Sequence, residues 1–416
     1  MLRRFSLYGF LKNQRYFEPF LVLAFLDKGL SFTQIGLLIA LREICVNVME
    51  VPSGALADLY GRRGSMIFSF AAYIVSFVLL GLAMDFWLLS GAMVFFAAGE
   101  AFRTGTHKAM IFAWLREQGR EGERTRVYGY TRSWSKVGSA VSVLAAAAMV
   151  LVSANYTVIF YVSIVPYLLG VVNFLGYPAS LDGRSGDKPS VGRVVRHLRE
   201  AIGEAIRRRP LRRLVLESMG FEGMFKASKD YLQPVLAATA AALTATWIEL
   251  PQLGEVQKTA LLVGPVYILL HFLSAAASRN AYRVVEKKQG EERAARWLWG
   301  MCLILFAALL PSLAFSIYPL IIVGFVLLHV LQDLWRPVLI SRFDSHGTES
   351  QGATLLSVEN QAKSLGTMLL APILGVAVDL SCGFGAVGSF WPVAAAGIVI
   401  ALGFRVSAPK ASPISS

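Results

Sequence analysis

Residues 65–84 read SMIFSFAAYIVSFVLLGLAM, a run of twenty positions without one charged side chain. A helix of that length rises about 30 Å, the thickness of a bilayer's hydrocarbon core, and satisfies its own backbone hydrogen bonds where no water is available. Working outward, comparable runs lie at 6–26 and 33–53 on one side and at 88–112, 128–151 and 156–178 on the other. After a polar stretch they resume at 214–238, 259–278, 296–315, 317–340, 354–378 and 387–405. Twelve spans, six on each side of the polar stretch, predict an all-α membrane protein with twelve transmembrane helices in two six-helix bundles. Composition agrees: of 416 residues 55% are hydrophobic and only 16% charged, against about 25% charged in a soluble domain.

The net charge of +13 would by itself suggest a nucleic acid, but its placement does not. With the amino terminus inside, the cytoplasmic loops take Arg62, Arg63, Arg116, Arg120, Arg124, Arg126, Arg279, Arg283, Lys287, Lys288, Arg293 and Arg342, while the external loops hold Lys28 and Lys258. That asymmetry is the positive-inside signal of a multi-pass protein, so the surplus is topology rather than a DNA or RNA surface. The expectation is a plasma (inner) membrane protein with both termini cytoplasmic, no nucleic-acid partner, and a monomeric state. The domains expected are an N-terminal bundle over 1–180, a linker over 181–213 and a C-terminal bundle over 214–416. In the linker, Val191, Val194, Val195, Leu198, Ala201, Ile202, Ala205 and Ile206 recur at helical spacing, which predicts an amphipathic helix on the cytoplasmic face with Arg193, Arg196, Arg199, Arg207, Arg208 and Arg209 toward water or lipid headgroups. Cys45, Cys302 and Cys382 are too scattered for a disulfide scaffold or a zinc site, and no cofactor or metal is implied.

Two parallel six-span halves should leave traces of internal repetition. Tyr16-x-Glu18-Pro19-x-Leu21 in span 1 matches Tyr231-x-Gln233-Pro234-x-Leu236 in span 7. Glu100-x-Phe102-Arg103 in span 4 matches Asp333-x-Trp335-Arg336 in span 10, and Lys136-x-Gly138 in span 5 loosely matches Lys363-x-x-Gly366 in span 11.

Immediately before the opening run stands Gly54-Ala55-Leu56-Ala57-Asp58-Leu59-Tyr60-Gly61-Arg62-Arg63. It resembles the signature loop between spans 2 and 3 of the major facilitator superfamily, with Leu59 where that family usually carries a base. The resemblance implies a major facilitator-type fold and secondary transport by alternating access, the cavity lined by spans 1, 4, 7 and 10. Physically, Gly54 and Gly61 permit tight turns, while Asp58 can cap a helix amino terminus and pair with Arg62 or Arg63, forming a conformational latch. The Gly-Pro motif of many drug antiporters is not visible in span 5.

Ionisable residues inside spans are costly unless they face a cavity or a partner. The interior candidates are nine bases, Arg15, Arg103, Lys108, Arg132, Lys136, Lys226, Lys229, Arg336 and Lys363, against six acids, Glu18, Glu100, Glu222, Asp230, Asp333 and Glu359. The excess of bases points to an anionic or zwitterionic organic solute. Arg15, Arg103, His107, Lys108, Lys226 and Arg336 are the candidate substrate-binding residues, and Glu18, Glu100, Glu222 and Asp333 the candidate proton carriers. Glu100, Arg103 and His107 are spaced to share one face of an unbroken helix. The alternative is a multidrug/proton antiporter exporting lipophilic compounds. No His-Glu-x-x-His helix, Gly-x-Ser-x-Gly elbow or phosphate loop supports an enzyme, so no catalytic residues are assigned.

Overall fold

The structure is a computed structural model that describes residues 1–182, 207–246, 250–345 and 352–406, with isolated helical positions at 192, 196, 199, 202 and 203; within these, the side chains at 51, 55, 58–60, 125 and 352–356 are left undescribed. Among the described residues there are helices and no strands. The first eight helices are α1 (Leu2–Leu11), α2 (Leu21–Asp27), α3 (Phe32–Tyr60), α4 (Arg62–Leu82), α5 (Phe86–Arg103), α6 (Thr106–Glu117), α7 (Arg124–Ser153) and α8 (Val158–Leu175). The second half contributes α9 (Arg209–Glu217), α10 (Gly223–Ser228), α11 (Leu232–Thr246), α12 (Glu255–Lys287), α13 (Glu291–Ala314), α14 (Tyr318–Asp344), α15 (Gly352–Leu380) and α16 (Trp391–Val406). The expected amphipathic helix of the linker falls largely outside the described residues.

Ten helices among the described residues are long and apolar enough to cross a membrane. Expected spans 1 and 7 are missing from those ten because neither is a continuous helix. Span 1 is α1, a turn-rich stretch and α2; span 7 is α9, a π-helical turn over Ser218–Glu222, α10, a 3-10 turn over Lys229–Tyr231, and α11. Span 4 is interrupted as well, so Glu100 and Arg103 end α5 while His107 opens α6, correcting the expected shared face. The break follows from local chemistry. Thr104 is extended and Gly105 takes φ +76°, a region open to glycine and costly for a residue with a Cβ.

The helices form two compact units: Met1–Leu30, Leu41–Arg196 and Leu250–Ile268 make the first, and Ser31–Ala40, His197–Glu249 and Leu269–Ser416 the second. Each takes in a helix end from the other half of the sequence. In unit 2 the start of α3 is capped by Asp379 of α15, which accepts from Phe32 N (3.1 Å), Thr33 N (2.7 Å) and Thr33 Oγ1 (2.6 Å). In unit 1, Gln257 near the start of α12 donates to Leu151 O at 2.8 Å.

The core of unit 1 is aromatic: Phe70, Tyr73, Phe77, Phe96 and Tyr167 pack in tilted and edge-on contacts where α4 meets α5 and α8. In unit 2, Trp299 is packed by Phe221, Trp335 and Phe404. On the outer faces Val48, Phe68, Val172, Phe272, Ile373 and Val399 stand exposed, a surface suited to lipid rather than water.

Candidate functional site: a basic cavity and a buried carboxylate pair

The third sequence echo marks a packing device. A Cβ on Gly138 would sit 2.5 Å from Phe10 O, and one on Gly366 would sit 2.2 Å from Met219 O, so a bare glycine lets α7 lie against α1 and α15 against the π turn of span 7. Close backbone approach through small residues is how helices associate in lipid, where the apolar side chains gain nothing by leaving it. The same contact in both units brings Lys136 to the broken region of span 1 and Lys363 toward that of span 7.

In unit 1 this crossing forms a half-open cavity of about 260 Å3 between α1, α6 and α7. Side-chain amides satisfy carbonyls where α1 ends: Asn13 donates to Gly9 O at 2.6 Å and buried Gln14 to Gly138 O at 3.1 Å. That leaves Lys12 on the cavity wall, its ammonium 5.6 Å from the Tyr8 ring centroid. Arg132 and Lys136, one turn apart on α7, supply the other charges, and among the described residues no acidic side chain lines the cavity. One side is aromatic: Tyr8 stacks on His107 at 3.7 Å between centroids, Phe5 meets His107 edge-on at 5.5 Å, and Tyr177 Oη lies 3.5 Å from His107 Nε2.

Of the expected substrate-binding residues, only His107 lines this cavity. Arg103 is not part of the lining; the Tyr8 and Tyr73 hydroxyls and Glu100 are the groups that act on its charge. Arg15 pairs with Glu18 at 4.0 Å in the non-helical part of span 1. Lys108 points out, above the rings of Phe112 (5.5 Å) and Tyr128 (5.6 Å). Lys12 escaped the sequence reading. The signal was the run Lys12-Asn13-Gln14-Arg15, four polar residues in succession that no single lipid-facing helix accommodates.

Unit 2 holds the other candidates. Arg336 on α14 grips Glu359 of α15 with both nitrogens, at 2.5 and 3.0 Å, and its Nη1 lies 3.5 Å from Glu222 Oε2. Gln332 Nε2 donates to Glu222 Oε2 at 2.8 Å, and Ser218 Oγ to Glu359 Oε1 at 3.1 Å. Glu222 is 3% exposed and Glu359 1%, yet Glu222 Oε1 is buried with no hydrogen-bond partner. Two buried carboxylates thus share one guanidinium, an arrangement in which a proton relieves the repulsion. Glu222 sits at the end of the π turn, a geometry that recurs at functional sites. Lys226 and Asp333 are half-buried on neighbouring turns.

The signature loop makes contacts inside unit 1. Gly61 precedes α4 with φ +100°, Arg63 N donates to Asp182 Oδ1 at 2.9 Å, and Arg63 Nη1 donates to Tyr177 O at 3.0 Å. The carboxylate capping α4 is therefore Asp182, from the end of span 6, and Asp58's side chain lies outside the described residues. Gly54 has open space around it, and Arg62 opens α4.

Comparison with known proteins bears on the fold. The family model described as Major Facilitator Superfamily matches residues 13–371. The uncharacterized MFS-type transporter YxaM of Bacillus subtilis (strain 168) is 38% identical over 87 residues, 19% of this chain and 22% of YxaM, so the match spans about a fifth of that relative's length. The crystal structure of the nucleoside transporter NupG superposes with a TM-score of 0.76 at 11% identity, covering 97% of this chain and 98% of that one. A peptide transporter, POT, gives 0.68 at 14% identity over 97% of this chain and 93% of that one. At such identities the solved structures share the fold alone. With a family match over most of its length and the loop Gly54–Arg63 between its second and third spans, the chain belongs to the major facilitator superfamily.

Proposed function

We propose that this multi-pass membrane transporter carries a small organic anion by alternating access, with protons as the coupling ion. It would work as a monomer in a plasma (inner) membrane, both termini cytoplasmic. The observation carrying the anionic reading is the unit 1 cavity, where Lys12, Arg132 and Lys136 converge and no carboxylate lines the wall. An anion entering it gains charge-assisted hydrogen bonds from three cations that have no carboxylate partner among the described residues. Proton coupling is supported by Glu222, buried beside Glu359 with one oxygen unpartnered. Zwitterions remain within the reading if their carboxylate enters this cavity.

Thermal stability of the purified protein, measured with organic anions, zwitterions and lipophilic cations at two pH values, tests the proposal, because a ligand of the folded state raises the melting temperature. Stabilisation by an anion that weakens in Lys136→Gln is expected. Stabilisation by lipophilic cations alone would replace it with multidrug export.

A further inference from the structure

Resting on the reading of the unit 1 cavity as the anion site, we propose that its ligand is a compact dianion, and that Lys12 selects it over a monoanion. Charge inventory leads to this. The bases around the broken span 1 divide into two sets. Arg15 has Glu18 at 4.0 Å, and Arg103 has Glu100 together with the Tyr8 and Tyr73 hydroxyls. Lys12, Arg132 and Lys136 have no carboxylate partner among the described residues, and all three open on the same cavity. Their positions are unequal. Arg132 and Lys136 stand one turn apart on a single face of α7, close enough to hold one anionic group between them. Lys12 stands on the other wall, beyond the last turn of α1, its ammonium 5.6 Å from the Tyr8 ring centroid. A singly charged ligand held by the α7 pair leaves Lys12 uncompensated; a second anionic oxygen group reaching Lys12 removes that cost.

Size sets the other limit. The cleft, about 260 Å3 in volume and open to one side, lies just below the range of drug-sized pockets. Two charges on a small skeleton fill such a cleft, with the Tyr8–His107 stack against the uncharged part. A short dicarboxylate and a small phosphate monoester both have this chemistry.

Matched probes separate charge from size: succinate with monomethyl succinate, and ethyl phosphate with diethyl phosphate, titrated at pH 7 against the purified protein by calorimetry. In at least one pair the dianion is expected to bind about tenfold or more tightly than its monoanion, the lower end of what a charge-assisted hydrogen bond contributes. Which pair shows it identifies carboxylate or phosphate. In Lys12→Gln the ratio should fall to about one or two, and Lys12→Arg should restore it, which also guards against misfolding of the first variant. Equal affinities within both pairs would overturn the dianion while leaving the anion reading intact. Retention of the full ratio in Lys12→Gln would overturn the role of Lys12. Failure of all four probes, with binding of a lipophilic cation in the same preparation, would overturn the anion site itself.

Discussion

Glu222 and Glu359 flank the same guanidinium, yet neutralising them should have different consequences. Glu359 forms the bidentate pair with Arg336 and accepts from Ser218; Glu222 stands 3.5 Å from Arg336 and is held by Gln332. Glu359→Gln leaves a planar group of the same size but removes the charge that both guanidinium nitrogens contact. Breaking a buried pair typically costs 3–5 kcal/mol; with the Arg336 side chain 35% exposed and Glu222 able to take up part of the attraction, about 2–3 kcal/mol is expected here. Glu222→Gln keeps an acceptor for Gln332 and relieves the repulsion between carboxylates, so its expected change is within about 1 kcal/mol of zero. Reversible unfolding in mixed micelles, followed by circular dichroism, measures both. The functional order should be the reverse: Glu222→Gln abolishes accumulation driven by a proton gradient and retains substrate exchange between preloaded vesicles and medium. Equal destabilisation by the two substitutions, or full proton-driven accumulation in Glu222→Gln, would refute the division of roles.

Three further outcomes follow from the packing. Asp379→Ala removes the cap from the first turn of α3 and should cost about 1–2 kcal/mol in the same unfolding assay, with Asp379→Asn costing less because an amide oxygen still accepts. Gly138→Ala places a methyl 2.5 Å from Phe10 O, forcing α7 away from α1; a loss of about 1–3 kcal/mol and weaker anion binding in a thermal-shift titration are expected. Arg342 is 2% exposed and binds Glu217 Oε2 at 2.5 Å and Glu292 at 2.7 and 2.9 Å, so Arg342→Met should destabilise by about 3 kcal/mol, the lower end for a buried pair because Arg213 still holds Glu217 at 2.7 Å. The double variant Arg342→Met/Glu217→Leu should recover part of that loss.

Hydropathy made the membrane class and the number of spans legible because lipid imposes the same demand on each crossing segment. It hid the interruptions, since a window of about 19 residues averages a helix with the turn inside it. The clues were local. Pro19 in the middle of span 1, the polar run Lys12–Arg15 and the Thr104-Gly105 pair each oppose a continuous helix, and each lies at or beside a functional candidate. The repeats were informative beyond their apparent strength: Gly138 and Gly366 matched loosely as sequence and perform one packing task in the two units. Partners were the part sequence could not supply. Arg103 and Arg336 stand at matching places in the repeat, but one meets tyrosine hydroxyls from α1 and α4 and the other carboxylates from the π turn and α15, a difference created by residues far away in the chain. Lys12 lies outside every repeat echo, and it is the base of span 1 that lines the cavity.

The most direct test of the anion-transport account is uptake into proteoliposomes carrying the full-length protein, with an inward proton gradient and a radiolabelled compact organic anion chosen from the stabilising compounds. The account predicts saturable accumulation above the external concentration, collapse with a protonophore, and loss in Lys136→Gln. Anion flux equal to that of empty liposomes, together with proton-driven extrusion of a lipophilic cation, would contradict it.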